Sequence, residues 1–179
     1  MEPSDADLVA RVLDGHKEAF AVLVERHYDD CARYAHRALG NRPDAEDALQ
    51  ESFLRAYRAL PRYRERDAFR AWLFRILVNR CRTAALARAR RARRFVRDER
   101  AMTDASVASS ERGADAQDEL QRALDTLDPL LREAVLLKHG EGLDYDEMSR
   151  MTGVRVSALK MRVKRGVDAI RPLLEAMRP

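Results

Sequence analysis

The sequence predicts an all-α protein: two small helical domains joined by a flexible linker. Three observations carry this expectation. Charged residues make up 36% of the 179 positions while Gly (7) and Pro (6) are few, a composition that favours helices. Apolar residues recur at helical spacing in both halves. Between the halves, residues 98–116 (DERAMTDASVASSERGADA) turn small, polar and mildly acidic, which marks a linker. The expected domains are therefore 1–97 and 117–179.

Each element has its own signal. Ser4 followed by Asp7 caps a short helix carrying Leu8, Val9, Val12 and Leu13, and Gly15 ends it. A second helix runs from about Lys17 to Leu39, with Phe20, Leu23, Val24, His27, Cys31, Tyr34 and Ala38 at helical spacing. Gly40-Asn41-Arg42-Pro43 breaks the chain. A third helix begins at Asp44 and runs to about Leu60, with Ala45, Leu49, Ser52, Phe53, Ala56 and Leu60 inward. Its first turns are crowded with acids, which suit the positive end of the helix dipole. They exceed what capping requires. Asp47, Gln50, Glu51 and Leu54 form an outward acidic stripe that could dock a basic protein surface.

Pro61 closes that helix and a charged loop, Arg62 to Asp67, follows. The fourth helix starts near Ala68 with an apolar face of Phe69, Trp72, Leu73, Ile76 and Leu77. Most of these belong to the core. Yet Tyr63, Arg64, Arg66, Phe69, Arg70, Trp72 and Arg75 interleave rings with cations, a pattern that suits single-stranded DNA: bases stack or enter a pocket while arginines hold phosphates. From Asn79 to Arg97 there is no acid, so Arg80, Arg82, Arg88, Arg91 and their neighbours lack internal partners and read as a phosphate-contacting strip; the plainer alternative is a solvated surface.

In the second half, Leu120, Ala123, Leu124 and Leu127 mark one amphipathic segment. Asp128-Pro129 opens the next helix, which carries Leu130, Leu131 and Ala134 to Leu137. Gly140 and Gly142 bracket a turn. Asp144 and Glu147 form a capping box, Thr152-Gly153 stops that helix, and another starts near Val156-Ser157. Leu159, Val163, Val167 and Ile170 share one face of it; Lys160, Arg162, Lys164 and Arg165 lie largely off that face. A short helix, a Gly turn and a basic second helix is the layout of a helix-turn-helix, whose second helix enters the major groove. An ordinary helix pair with a solvated basic face is the alternative.

The net charge of +4 is mild, so its distribution matters more than its total. No apolar run approaches the roughly 20 residues of a membrane span, and the acidic N-terminus lacks a signal-peptide core, so the expectation is a cytoplasmic protein without membrane insertion. None of the four histidines has a Glu three residues before it, and no HExxH, GxSxG or Walker motif appears. No catalytic residue, metal or cofactor is expected. His27 and Cys31 share a helix face and could offer two zinc ligands, but no second pair matches them, and a half-buried thiol is the simpler reading.

Three stretches together, DAEDALQESFLRAYRAL (44–60), FRAWLFRILVNRCR (69–82) and GLDYDEMSRMTGVRVSALKMRVKR (142–165), resemble a bacterial extracytoplasmic-function (ECF) sigma factor of the sigma-70 family. The resemblance covers nearly the whole chain: residues 1–97 resemble sigma region 2 and residues 117–179 sigma region 4. It implies a subunit that binds core RNA polymerase and confers promoter specificity. By resemblance, Asp47, Gln50 and Glu51 dock the beta-prime clamp helices. Tyr63, Arg64, Arg66, Phe69, Trp72, Arg75 and Asn79 engage the melted minus-10 element, and a loop captures a flipped base. Arg80, Arg82, Arg88 and Arg91 hold DNA backbone. Arg155, Ser157, Lys160, Met161, Arg162, Lys164 and Arg165 meet the minus-35 element, with Lys160, Met161 and Lys164 as base readers and Arg162 and Arg165 nearer phosphates. The helix around Leu130–Leu137 supports docking on the beta flap. The resemblance also suggests control by an anti-sigma factor. The competing reading is a stand-alone helix-turn-helix regulator. The absence of an evident ligand domain argues against it. Family members commonly carry Gly where Glu65 stands, an acid at Thr83, a small polar residue at Met161 and Pro at Arg155.

Overall fold

Ser4 opens the first helix with a reciprocal cap. Its hydroxyl accepts from the Asp7 N–H (3.2 Å), and the Asp7 carboxylate accepts from the Ser4 N–H (3.0 Å). The computed structural model describes residues 2–64, 68–99 and 116–176, and among them there is no strand. Helix α1 (Asp5–Leu13) is tied to α2 (Glu18–Leu39) through one carboxylate. Asp5 accepts from Arg26 (2.6 Å) and meets His27 Nε2 at 2.8 Å. The His27 ring is buried beside Phe69, 5.6 Å between centroids. His27 thus has a carboxylate and an aromatic neighbour, and Cys31 is fully buried rather than half-buried, its thiol pushed up to about 12 by burial.

Gly40 ends α2 at φ +69°, a left-handed conformation that suits glycine. Helix α3 (Arg42–Ala59) starts two residues before the sequence expectation. Asn41 is its cap, accepting from the Asp44 N–H at 2.9 Å, and Pro43 falls in the first turn, where no N–H is required. A single 3₁₀ turn, Leu60–Arg62, leads out of it. Helix α4 (Phe69–Glu99) is the longest element, at 31 residues. Helices α2, α3 and α4 pack on one another over Leu23, Tyr34, Leu49, Leu60, Leu73 and Leu77, all at 2% exposure or less. Each such side chain contributes about 1.5–3 kcal/mol by leaving water.

The second unit holds α5 (Ala116–Asp125), α6 (Pro129–Val135), α7 (Tyr145–Thr152) and α8 (Val156–Ala176). Asp128 caps α6 by accepting from the Leu130 N–H at 3.0 Å. The sequence reads a single helix through Leu137. Instead α6 opens into a π turn, Leu136–Gly140. Gly166 lets α8 approach α6: a Cβ there would lie 2.5 Å from Val135 Cγ2. Leu124, Leu137, Met148 and Leu159 form the buried centre.

The two units pack together. Helix α4 lies against α6 and α7, and the π turn and α6 lie against α2. The expected linker, 98–116, begins two residues inside α4 and reaches the first residue of α5. Residues 100–115 lie outside the described residues, as do Arg66 and the rest of 65–67.

Candidate nucleic-acid interface

Helix α3 turns Asp47, Gln50 and Leu54 to solvent, with Glu51 half-exposed beside them. Arg55 donates to Glu51 at 2.6 Å, and that bond holds the Glu51 carboxyl below its ordinary range. The stripe does not stand alone. Asp47, Gln50, Leu54 and Tyr57 of α3 face Phe20, Val24 and Tyr28 of α2 across an open groove of about 830 Å³. Tyr28, Leu54 and Tyr57 are 45%, 44% and 36% exposed, unusual for large apolar groups. The groove therefore has an apolar floor, and its charged rim carries Glu46 and Asp47 together with Lys17. Sequence periodicity found the rim and missed the floor, because Phe20 and Val24 share the spacing of the buried set.

The loop before α4 is built on an aromatic cluster. The Tyr63 ring lies 4.9 Å from Trp72 and 6.0 Å from Phe69, and Phe69 lies 5.7 Å from Trp72. The Tyr63 hydroxyl accepts from the Ala68 N–H at 3.3 Å. Tyr63 is 8% and Phe69 2% exposed, so these two rings are packed against protein rather than offered as stacking faces. Trp72 is half-buried. Arg64 is exposed and braces the loop through the carbonyls of Pro61 (2.8 Å) and Tyr63 (3.2 Å). Arg75 is half-buried, and its Nε is enclosed without a hydrogen-bond partner. Asn79 is exposed one turn further on.

The arginine strip of α4 divides in two. Arg91 is exposed, and Arg80 is half-buried with Nε enclosed and unpaired. Arg82 and Arg88 depart from the expectation that the strip lacks internal partners. Arg82 grips Glu133 of α6 through Nε (2.7 Å) and Nη2 (2.8 Å), and its Nη1 donates to the Thr152 carbonyl (3.1 Å). Arg88 donates to the Leu39 carbonyl at 2.9 Å. Their partners are distant in sequence, so an acid-free run did not mean an unpaired one. Arg88 is one of four side-chain donors, among the described residues, on the last turn of α2, where Asn41 also donates to the Leu39 carbonyl at 3.2 Å. Gln121 reaches the Arg37 carbonyl (3.4 Å) and Arg132 the Ala38 carbonyl (3.3 Å). Cationic side chains suit this negative end of the helix. Arg132 also pairs with Asp125 at 2.9 Å, while burial lowers its own proton affinity.

The helix-turn-helix forms as its sequence dictates. Asp144 accepts from the Glu147 N–H (2.7 Å), and Glu147 accepts from the Asp144 N–H (2.8 Å). Gly153 turns the chain at φ +70°. Leu159, Val163 and Ile170 of α8 are buried, while Arg155, Ser157, Lys160, Met161, Lys164 and Arg165 are exposed on one short, cationic surface. Arg162 is half-buried, with Nη1 enclosed and unpaired. Among the described residues, no group of three or more His, Cys, Asp or Glu is placed to hold a metal ion, and no helix is long and apolar enough to cross a membrane.

Two family models match the chain: Sigma-70 region 2 matches residues 23–95, and Sigma-70 region 4 matches residues 117–170. The ECF RNA polymerase sigma factor SigE of Mycolicibacterium smegmatis is 33% identical over 186 residues, covering 97% of this chain and 70% of that one. The chain belongs to the ECF sigma factors. The RNA polymerase sigma factor CnrH of Cupriavidus metallidurans is 35% identical over 190 residues, covering 98% of each chain. The structure of CnrH in complex with the cytosolic domain of CnrY superposes with a TM-score of 0.65 at 28% identity, covering 97% of this chain and 99% of that one. As an ECF sigma factor the protein directs RNA polymerase to promoters, and the stand-alone regulator is not favoured. Sigma factors act by binding DNA, not by catalysis.

Proposed function

We propose that each step of promoter engagement uses a separate surface of this chain. Domain 1–97 carries the polymerase-docking and minus-10 surfaces, domain 117–179 the minus-35 surface, and 98–116 links them. The groove between α2 and α3 receives the beta-prime clamp helices, with Asp47, Gln50 and Glu51 meeting their cations and Tyr28, Leu54 and Tyr57 their apolar side. The observation that carries this reading is the coincidence of exposed apolar groups with the acidic stripe at one groove. An apolar centre with a charged rim is the anatomy of a protein interface.

The Arg64–Asn79 segment holds the melted minus-10 strand, with Arg66, Trp72, Arg75 and Asn79 toward DNA and Tyr63 and Phe69 bracing the loop. Arg80 and Arg91 contact the backbone, and Arg82 and Arg88 join them once released from their internal partners. Arg155, Ser157, Lys160, Met161, Arg162, Lys164 and Arg165 meet the minus-35 element, and the α6 region docks on the beta flap. The chain performs no chemistry of its own and works in the cytoplasm. An anti-sigma factor controls it, a reading supported by its likeness to CnrH, whose structure holds the cytosolic domain of CnrY.

The test is transcription in vitro from a library of upstream regions with core polymerase. Transcripts sharing two motifs support the assignment, and Asp47→Arg should abolish them while the circular dichroism spectrum stays unchanged. Tight binding to duplex DNA by the free protein, without transcripts, would replace it with the regulator.

A further inference from the structure

The Tyr145 ring, at the start of the first helix of the helix-turn-helix, is approached by two ammonium groups. Lys160 Nζ of α8 lies 5.6 Å from its centroid, and Lys138 Nζ of the π turn lies 5.0 Å from it. Both fall within the range where the negative face of an aromatic ring attracts a cation. The ring is partly buried against the core, and the backbone beneath it is set by the helix cap. Tyr145 is the first residue of α7, directly after Asp144, whose reciprocal bonds with Glu147 set the backbone there. Lys138 is anchored independently, because its ammonium donates to the Leu143 carbonyl at 3.0 Å. Lys160 is the exposed member of the group.

A lysine stem has four rotatable bonds, and a lysine that reads a base must give up that freedom on binding. From this geometry we infer that Tyr145 is a positioning residue for minus-35 selectivity: its ring preorganises Lys160 over the major-groove edge it reads. The inference rests on Lys160 being a base reader. Tyr145 itself needs no base contact. The π turn has a part in this, since it brings Lys138 to the ring. A surface cation–π contact corresponds to about a two- to five-fold effect on selectivity.

The test uses the full chain in holoenzyme, with a promoter library randomised across the minus-35 element and the base preference at each position as readout. Lys160→Ala should flatten preference at its position by about five-fold or more, the scale of a lysine–guanine contact. Tyr145→Phe keeps the ring and should keep the preference. Tyr145→Leu should flatten the same position by about two- to five-fold, and the double substitution should add nothing to Lys160→Ala alone. Because leucine also changes packing, a series of progressively fluorinated phenylalanines at position 145 supplies a shape-conserving control, and preference should fall as fluorine empties the ring face. Equal preference across the fluorinated series would overturn the inference while leaving Lys160 as a reader. So would uniform weakening by Tyr145→Leu with an unchanged profile. A Lys160→Ala profile identical to the parent would overturn the reader assignment and the inference with it.

Discussion

The Arg82 guanidinium and the Glu133 carboxylate meet on two parallel hydrogen bonds of 2.7 and 2.8 Å, across the boundary between region 2 and region 4. Their side chains are 19% and 5% exposed. This fork geometry is the strongest form of a charge pair, and losing one half strands a desolvated charge. Glu133→Ala should cost about 2–4 kcal/mol of the closed arrangement. Small-angle scattering should then show a larger radius of gyration, and urea unfolding should separate into two transitions. An unchanged radius and a single unshifted transition would show that the pair does not hold the units together.

Glu141 gives the same boundary a dependence on pH. Its carboxyl is raised above the ordinary value of 4.5, chiefly by burial. Arg33, Arg70 and Arg37 oppose that shift and Asp30 adds to it; the nearest cation is Arg70, at 3.9 Å. A carboxyl raised by folding favours the folded state while it is protonated, and this contribution is lost as pH rises from the unfolded value through the folded one. Glu141→Gln should remove the loss. Melting temperatures of the variant and the parent should agree near pH 4 and diverge above about pH 5, with the variant higher. A gap that is constant with pH, or that closes as pH rises, would contradict the assignment.

Much of this architecture was legible because it is local. The caps at Ser4, Asp128 and Asp144 need only a partner two or three residues away, and the structure realises all three. The stripe of Leu159, Val163 and Ile170 is one helix face and is buried as one. What the sequence concealed is long-range. Glu133 lies between the apolar positions that define its helix, and nothing near Arg82 in sequence announces it. The groove floor was hidden because a half-buried aromatic at helical spacing looks like a core residue until the partner helix is in place. The π turn was hidden because Leu136 and Leu137 continue the α-helical pattern, and the wider winding shows in the Glu141 N–H, which bonds the Leu136 carbonyl five residues back at 2.9 Å.

At Gly166 the backbone of α8 lies close against α6. An added methyl would lie 2.5 Å from Val135 Cγ2 and 3.3 Å from the Leu131 carbonyl oxygen. Alanine gains about 1 kcal/mol in helix propensity, but overpacking a close helix contact costs about 1–3 kcal/mol. Val135 is buried and β-branched, with little room to turn away. Gly166→Ala should therefore be destabilising in denaturant titration. A gain in stability would mean that α6 yields more readily than its packing indicates.

Arg165 separates the two kinds of contact at the minus-35 surface. It is exposed on α8, next to Lys164, and in the proposed reading its guanidinium is assigned to phosphate and Lys164 to base edges. A phosphate contact releases one counterion, so its loss weakens binding alike for every sequence and lowers the salt slope by about 0.9. Arg165→Ala in holoenzyme should shift promoter binding by the same factor across a minus-35 library and flatten the plot of log affinity against log salt by about that amount. Lys164→Ala should do the opposite, altering base preference at one position with a smaller change common to all sequences. If Arg165→Ala instead relaxes preference at a single base pair, then α8 sits deeper or further rotated in the groove, and the base-reading set includes Arg165.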